Sequence, residues 1–487
     1  MKILFAASEV SPIVKIGGLG DVAGALPKAL EKLGVDVDVI VPFYSVIDRH
    51  KFKIIKQLSI DVPFDGHTWE VGVYKTKLPG SQVDVLLLNE PRFLAGGGVN
   101  AFSSLKDEIE RFTFFSRAVV EYVKAQFNIY DVVHCNDWHT GMITHILEEE
   151  IGEERPATLF TIHNISYQGE WGMDLVQELG LSISEHRILE WDLEDGNVNL
   201  MLEGIASSDM VNTVSPTYAK EVKFSDVGGG MSEILRGKGK RFVGILNGID
   251  YEYYNPQIDP FLRLNYNTRT YKEGKKQNKI ELQKELGLKI KNVPVVSIIS
   301  RLDGKQKGLD ILCEALPEML KLEMQFVLLG KGDKKYEESF YKLAHLRKYH
   351  GKVSINLGFD EALSHRIYAA SDIFLMPSRF EPCGLSQLIS MKYGTLPVAH
   401  GVGGLKDTVK DDSTGFIFNV FSGNGLLRAV TKAYKLCGSK KWQEMVTKAM
   451  KKDYSWARSA EDYLDVYKKA IDYKEEVPVL ENIGFKD

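Results

Sequence analysis

Four short clusters along the 487-residue chain combine residue types that could act on an anionic, hydroxyl-rich substrate. The segment SRLDGKQKGLD, 300–310, carries Arg301 and Lys307 just after an apolar run. Two cations there can stabilise a leaving diphosphate without a metal ion. A solvated charged loop is the plain alternative, less apt because Arg301 follows the run so closely. The segment PSRFEPCGLSQL, 377–388, places Glu381 beside the start of a helix. The amides of Cys383, Gly384 and Leu385 would face an anion there, and an ionised Glu381 would anchor sugar hydroxyls. An ordinary acid at a helix N-terminus competes with that reading, and the adjoining anion site favours function. Another Gly-rich turn, Gly401–Gly404, follows two elements later.

The other two clusters lie in the first half. In KIGGLGDV, 15–22, Gly17, Gly18 and Gly20 let the backbone approach a ligand closely, and Lys15 adds a point charge. A helix beginning near Asp21, as N-cap, would turn its N-terminus toward an anion. On the loop alone, a simple tight turn fits equally well. The dinucleotide fingerprint GxGxxG is not met, and no acidic residue closes the second strand, where Val39–Val41 runs into Pro42; both features argue against an NAD enzyme. In HCNDWHTG, 134–141, Trp138 could stack on a sugar ring while Asp137 and His139 bond its hydroxyls. A metal site would need further ligands and other spacing. The alternative is a capping Asp137 with a buried Trp138. His163 and Asn164 end another strand in the same manner, which favours a ligand site.

Each cluster follows an apolar run that reads as a strand, so the elements behind them decide the fold. Lys2–Ala7 is apolar throughout its core, as a strand buried on both faces should be. A helix with Val22, Leu26, Ala29, Leu30 and Leu33 on one stripe follows, bent at Pro27 and stopped by Gly34. Strands are expected at Val35–Val41, Asp131–Cys135, Ala157–His163, Asp209–Val214 and Phe242–Leu246, with a helix at Thr140–Glu149. A second series has strands Val293–Ile299, Gln325–Leu329, Val353–Leu357, Ile373–Met376 and Leu396–Ala399. Between these strands, helices are expected at Leu309–Leu320, Lys334–Tyr349, Ala362–Ala370 and Leu385–Tyr393. The polar stretch Asp259–Lys279 reads as a connection, Ala457–Asp472 as a last helix, and 477–487 as a tail with little to pack. The fold class is therefore α/β, with two Rossmann-like, doubly wound domains joined near residue 250.

A chain of this length exceeds one ordinary core. Charged residues make up 26%, hydrophobic ones 44%, and the net charge is −5, which gives nucleic acid no general electrostatic support. The four cysteines, Cys135, Cys313, Cys383 and Cys437, form no CxxC pair and imply neither zinc nor a disulfide framework. No cleavable leader pattern opens the chain, and no window holds the roughly 20 apolar residues of a membrane span, so a cytoplasmic protein with no membrane partner is expected.

Taken together, KIGGLGDV, NDWHTG, LNGID, QKGLD and SRFEPCGLSQL resemble the bacterial glycogen synthases and plant starch synthases, over Lys2 to about Lys469. The resemblance implies two Rossmann-like domains facing a cleft (the GT-B fold), 1–248 on the acceptor side and 249–455 on the donor side. A helix within 456–475 would return to the first domain, and closure would hinge near 250. It implies transfer of glucose from ADP-glucose to the non-reducing end of an α-1,4-glucan with retention, without a cofactor or metal; no oligomeric state is implied. Lys15, Gly17, Gly18, Gly20 and Asp21 would meet the donor's diphosphate and glucose. Arg301 and Lys307 would neutralise the departing ADP. Glu381 would hold the transferred glucose near Cys383, Gly384 and Leu385. Asp137, His163 and Asn247 would line the donor sugar, Phe359 would stack on adenine, and Glu9, Trp138, His139 and Asn164 would meet the acceptor. Three departures stand out: Ile16 replaces the usual threonine, Arg301 and Lys307 lie six apart rather than five, and Ile389 leaves one carboxylate where many retaining transferases have two. A UDP-glucose enzyme and a non-catalytic glucan-binding protein are the alternatives. The second is disfavoured by the intact Lys15, Arg301, Lys307 and Glu381.

Overall fold

The computed structural model describes residues 1–90, 105–181 and 187–476; the expected tail at 477–487 lies outside them. The chain divides into two compact units, Met1–Gly248 with Trp456–Asp487, and Ile249–Ser455.

The first unit is built on nine strands. In chain order they are β1 Lys2–Ala6, β2 Asp36–Pro42, β3 Ile55–Phe64, β4 His67–Lys77, β5 Asp84–Asn89, β6 Val132–Asn136 and β7 Ala157–Ile162, then β10 Met210–Thr213 and β11 Phe242–Gly244. A separate hairpin pairs β8, Glu170–Gly172, with β9, Asn197–Asn199. The sheet order is β11-β10-β7-β6-β1-β2-β5-β4-β3. Pairing is parallel except at β3–β4 and β4–β5. The antiparallel edge falls in a stretch for which the apolar pattern gave no assignment. Because β1 lies between β2 and β6, the connections leave it in opposite directions. A crevice therefore opens at the C-terminal ends of β1 and β6.

The first helix runs continuously over Gly18–Lys32 through Pro27, and Gly34 follows it at φ 81°, the left-handed stop its position predicts. Its start corrects one expectation. Gly17, not Asp21, is the N-cap, and Asp21 sits in the first turn. The C-terminal helix Trp456–Glu476 belongs to this unit; Trp456, Ala460, Tyr463, Val466, Tyr467 and Ala470 pack into the same core as Val22, Leu26 and Leu30 of the first helix.

The second unit has six parallel strands: β12 Val295–Ile299, β13 Gln325–Gly330, β14 Val353–Leu357, β15 Ile373–Met376, β16 Leu396–His400 and β17 Phe416–Phe418. Their order, β14-β13-β12-β15-β16-β17, puts the switch point between β12 and β15. Two expectations change here. The stretch Asp259–Lys279 is not all connection, because a helix spans Tyr271–Glu285. It lacks an apolar stripe because it is held by buried polar groups. Lys275 Nζ donates to Ala369 O, Tyr393 O and Thr395 Oγ1 at 3.0, 3.1 and 2.7 Å. Gln283 Nε2 donates to Lys291 O and Gln325 Oε1, each at 2.8 Å. The helix expected to reach Tyr349 ends at Ala344, and a 3-10 turn covers Arg347–Tyr349. All four cysteines are free thiols.

Candidate active site

In the second unit, β12 delivers Arg301 and β15 delivers Glu381 to the switch point. Gly308, at φ 63°, lets the Lys307 loop lie against the Glu381 loop. A Cβ at Gly308 would stand 1.9 Å from Pro377 O. Lys307 Nζ thereby reaches both carboxylate oxygens of Glu381, at 2.8 and 3.1 Å. Ser378 Oγ donates to Glu381 Oε2 at 2.8 Å. Glu381 is thus buried yet paired and hydrogen-bonded, as a charge in such a place must be. Arg301 is exposed and donates to Gln306 Oε1 at 3.4 Å. Gly404 packs on the backbone of Cys383, where a Cβ would come within 2.4 Å of its carbonyl oxygen. Its amide donates to Glu381 O at 3.1 Å, which fixes the Gly401–Gly404 turn against the carboxylate loop. Leu385 caps the following helix, Ser386–Lys392. Phe359 presents its ring to solvent, 84% exposed.

Ser378, Gln306 and Gly308 had no role assigned from sequence. Ser378 and Gly308 stand inside motifs already marked, next to the residues they position. His400 was likewise unassigned; its Nδ1 donates to Ser378 O at 2.8 Å, and burial lowers its pKa.

In the first unit, the Gly-rich loop has folded around a carboxylate of its own chain. Glu9, 5% exposed after β1, accepts from the amides of Ile16 and Gly17, the latter at 2.9 Å to Oε2. A Cβ at Gly20 would lie 3.0 Å from Glu9 Oε2, so glycine there is a matter of space. Burial raises the Glu9 carboxyl above its ordinary value, while the amides of Gly17, Ile16 and Gly20 oppose that rise. Lys15 Nζ pairs with Asp21 Oδ1 at 2.6 Å. The amides of Ile16 and Gly17 therefore hold Glu9, which shapes the loop from within.

Asp137 follows β6 with φ 57° and ψ 177°, a region non-glycine residues rarely enter and that costs about 1–3 kcal/mol. Its Oδ1 accepts from His163 N at 2.7 Å and Asn164 N at 3.4 Å. Burial pushes its carboxyl up to about 7, with those amides working against the rise and the nearby Glu9 adding to it. His163 Nε2 bonds Asn136 Oδ1 at 2.9 Å. Asn136 Nδ2 donates to Ala6 O and His134 O, so its Oδ1 is the acceptor and His163 carries its proton on Nε2. Burial lowers His163 to about 3, leaving Nδ1 a neutral acceptor. His139, also lowered to about 3 by burial, stacks on Trp138 at 4.2 Å. Its buried Nδ1 and the buried Asn247 Oδ1 have no hydrogen-bond partner among the described residues.

Trp138 is buried, as the capping alternative for this motif has it. It is 5% exposed, meets Phe112 edge-on at 5.5 Å, and lies where a Cβ at Gly169 would come within 2.4 Å. Its ring packs with the core of the first unit. Asp137 makes no side-chain cap to the 3-10 turn Trp138–Thr140. Among the described residues, no group of three or more His, Cys, Asp or Glu is placed to hold a metal, and no helix is long and apolar enough to cross a membrane.

Two Rossmann-like units, each with charged side chains at its switch point, are the build of the GT-B glycosyltransferases. The profile of the starch synthase catalytic domain matches residues 2–237, and that of group 1 glycosyl transferases matches 293–435. The chain is 40% identical to the glycogen synthase of Desulforudis audaxviator over 97% of each protein. It is 40% identical to that of Thermotoga maritima over 97% of this chain and 99% of the relative. Among solved structures, the catalytic domain of Starch Synthase IV from Arabidopsis thaliana, bound to ADP and acarbose, is 34% identical and superposes with a TM-score of 0.89, over 96% of this chain and 99% of that one. Sucrose-phosphate synthase from Thermosynechococcus elongatus, at 19% identity and TM-score 0.60 over 96% and 98%, shares the fold. This chain belongs to the glycogen and starch synthase family of glycosyltransferases.

Proposed function

We propose that the chain transfers glucose from ADP-glucose to the non-reducing end of an α-1,4-glucan, in the cytoplasm, releasing ADP and retaining the anomeric configuration. The observation that carries this reading is the Lys307–Glu381–Ser378 cluster at the switch point of the second unit. A cation and a fixed carboxylate side by side suit an anionic leaving group next to a sugar. The starch synthase relative carries ADP and acarbose, which supports a nucleotide donor and a saccharide acceptor.

Arg301 and Lys307 neutralise the diphosphate as the bond from C1 breaks. Glu381 holds the transferred glucose near the backbone of Cys383, Gly384 and Leu385, and Phe359 offers its open face to the adenine. Donor sugar contacts fall to Asp137, Asn247 and His163, whose Nδ1 accepts from a hydroxyl. Lys15, Gly17, Gly18, Gly20 and Asp21 form the loop side of the donor site, shaped from within by Glu9. His139 and Asn164 meet the acceptor. In the retaining step the acceptor oxygen bonds C1 on the face the diphosphate leaves, and its proton passes to a departing phosphate oxygen. Asp137 serves this scheme as a positioning acid, its Oδ1 accepting from His163 N.

The test is turnover on a glycogen primer with ADP-glucose and with UDP-glucose. Faster glucose transfer from ADP-glucose, matched by ADP release, is expected. No transfer from ADP-glucose by the folded protein, or a faster reaction with UDP-glucose, would refute it.

A further inference from the structure

Behind the ends of β6 and β7 runs a chain of fully buried polar side chains that no step above uses. Tyr467 Oη lies 2.8 Å from His134 Nδ1, and His134 Nε2 lies 2.6 Å from Thr161 Oγ1. Thr161 Oγ1 donates to Asn212 Oδ1 at 2.5 Å, and Asn212 Nδ2 donates to Tyr463 Oη at 3.1 Å. All five residues are 0% exposed. The direction of the bonds follows from counting protons. Thr161 gives its one hydrogen to Asn212, so it accepts from His134 Nε2–H. Burial keeps His134 neutral, so its Nδ1 has a lone pair and Tyr467 must donate to it. Every donor points the same way, from Tyr467 toward Tyr463, across three neighbouring strands.

Such a chain is costly if any member is left unpaired, so it fixes a unique arrangement. It starts and ends on the C-terminal helix, and it leads to the site. The backbone oxygen of His134 accepts from Asn136 Nδ2 at 3.3 Å, and Asn136 Oδ1 holds the His163 ring at 2.9 Å. The next residue is the strained Asp137, whose own amide donates to Thr161 O at 2.9 Å. The helix is anchored at its start as well: Ser459 Oγ donates to Leu246 O at 2.6 Å, next to Asn247.

We infer that Tyr467 is a positioning residue for the transfer reaction: from the C-terminal helix it locks the His134 ring, and through His134 and Asn136 it sets the His163 ring and the Asp137 turn. The inference rests on the proposed roles of His163 and Asp137.

Tyr467→Phe keeps the ring and removes only the hydroxyl. The expected result is a kcat lowered at least tenfold, with KM for donor and glucan within twofold. Tyr473→Phe, on the same helix but outside the chain, should leave kcat unchanged. Selective 15N labelling of histidine should show His163 as a pure Nε2–H tautomer in the parent and as a mixture in Tyr467→Phe. Thr161→Val against Thr161→Ser gives a second route, with loss of kcat in the first and recovery in the second. The inference is overturned by normal kcat in Tyr467→Phe, by a lowered kcat with an unchanged His163 tautomer, or by equal kcat in Thr161→Val and Thr161→Ser. His163→Ala separates the two levels: full activity there sinks the site reading itself, whereas abolished activity beside a normal Tyr467→Phe sinks only this inference.

Discussion

Lys307 and Glu381 offer the sharpest quantitative test, because their pairing couples stability to catalysis. Lys307→Ala would strand the Glu381 carboxylate, 7% exposed at its side chain, with the Ser378 hydroxyl as its one remaining side-chain partner among the described residues. Breaking one side of a buried pair costs about 3–5 kcal/mol; with Lys307 17% exposed, the lower end, about 3 kcal/mol, applies. Glu381→Ala leaves the ammonium on a flexible stem that can turn to water, at about 1–2 kcal/mol. The double variant strands no charge, so its cost should be about 2 kcal/mol rather than the sum of the two. The coupling is then about 2–3 kcal/mol. Each single variant should also lose about 100- to 1000-fold in turnover, the effect of removing one preorganised electrostatic contact, while remaining folded. Urea unfolding read by hydrogen exchange in the strands of the second unit assigns the free energy to the unit that carries the pair. Release of ADP measures turnover. Additivity within about 0.5 kcal/mol, or near-normal turnover in either variant, would refute the reasoning.

Two further outcomes follow from local geometry. The Asp137 carboxyl is raised from 3.8 to about 7, so its protonated form stabilises the fold fully below pH 3.8, and that contribution is lost as pH rises through about 7. Asp137→Asn, always neutral, should gain stability relative to the parent between pH 4 and 7 and hold level above pH 8; a difference in urea midpoint that stays flat over that span would contradict this. Gly308→Ala should cost about 2–3 kcal/mol and more than tenfold in turnover, because φ is 63° and the new Cβ meets Pro377 O. Gly438→Ala, at φ 77° with open space around it, should cost about 1 kcal/mol and leave turnover unchanged, so equal behaviour of the two variants would count against the packing account.

Strands buried on both faces announce themselves as largely apolar runs, which is why β1, β6, β7, β12, β13, β15 and β16 were legible within a residue or two. The helix Tyr271–Glu285 was not, because Lys275, Asn278 and Gln283 bury themselves through hydrogen bonds that periodicity cannot register. At the site, the sequence marked Lys307 and Glu381 as neighbours in function but could not show them as an ion pair; that depends on Gly308 meeting Pro377, 69 positions later. Trp138 and Glu9 show what the letters leave open. An aromatic ring or a carboxylate next to a Gly-rich or His-rich motif has the same letters whether it faces a ligand or supports the loop from behind. Only burial separates the two cases.

The most direct test of the central claim is a single reaction, ADP-glucose with a glycogen primer, followed by the anomeric configuration of the newly formed bond together with the yield of ADP. One ADP for each glucose incorporated, in a new α-1,4 linkage, is the expected result. A β linkage, or ADP release without glucan growth, would contradict it.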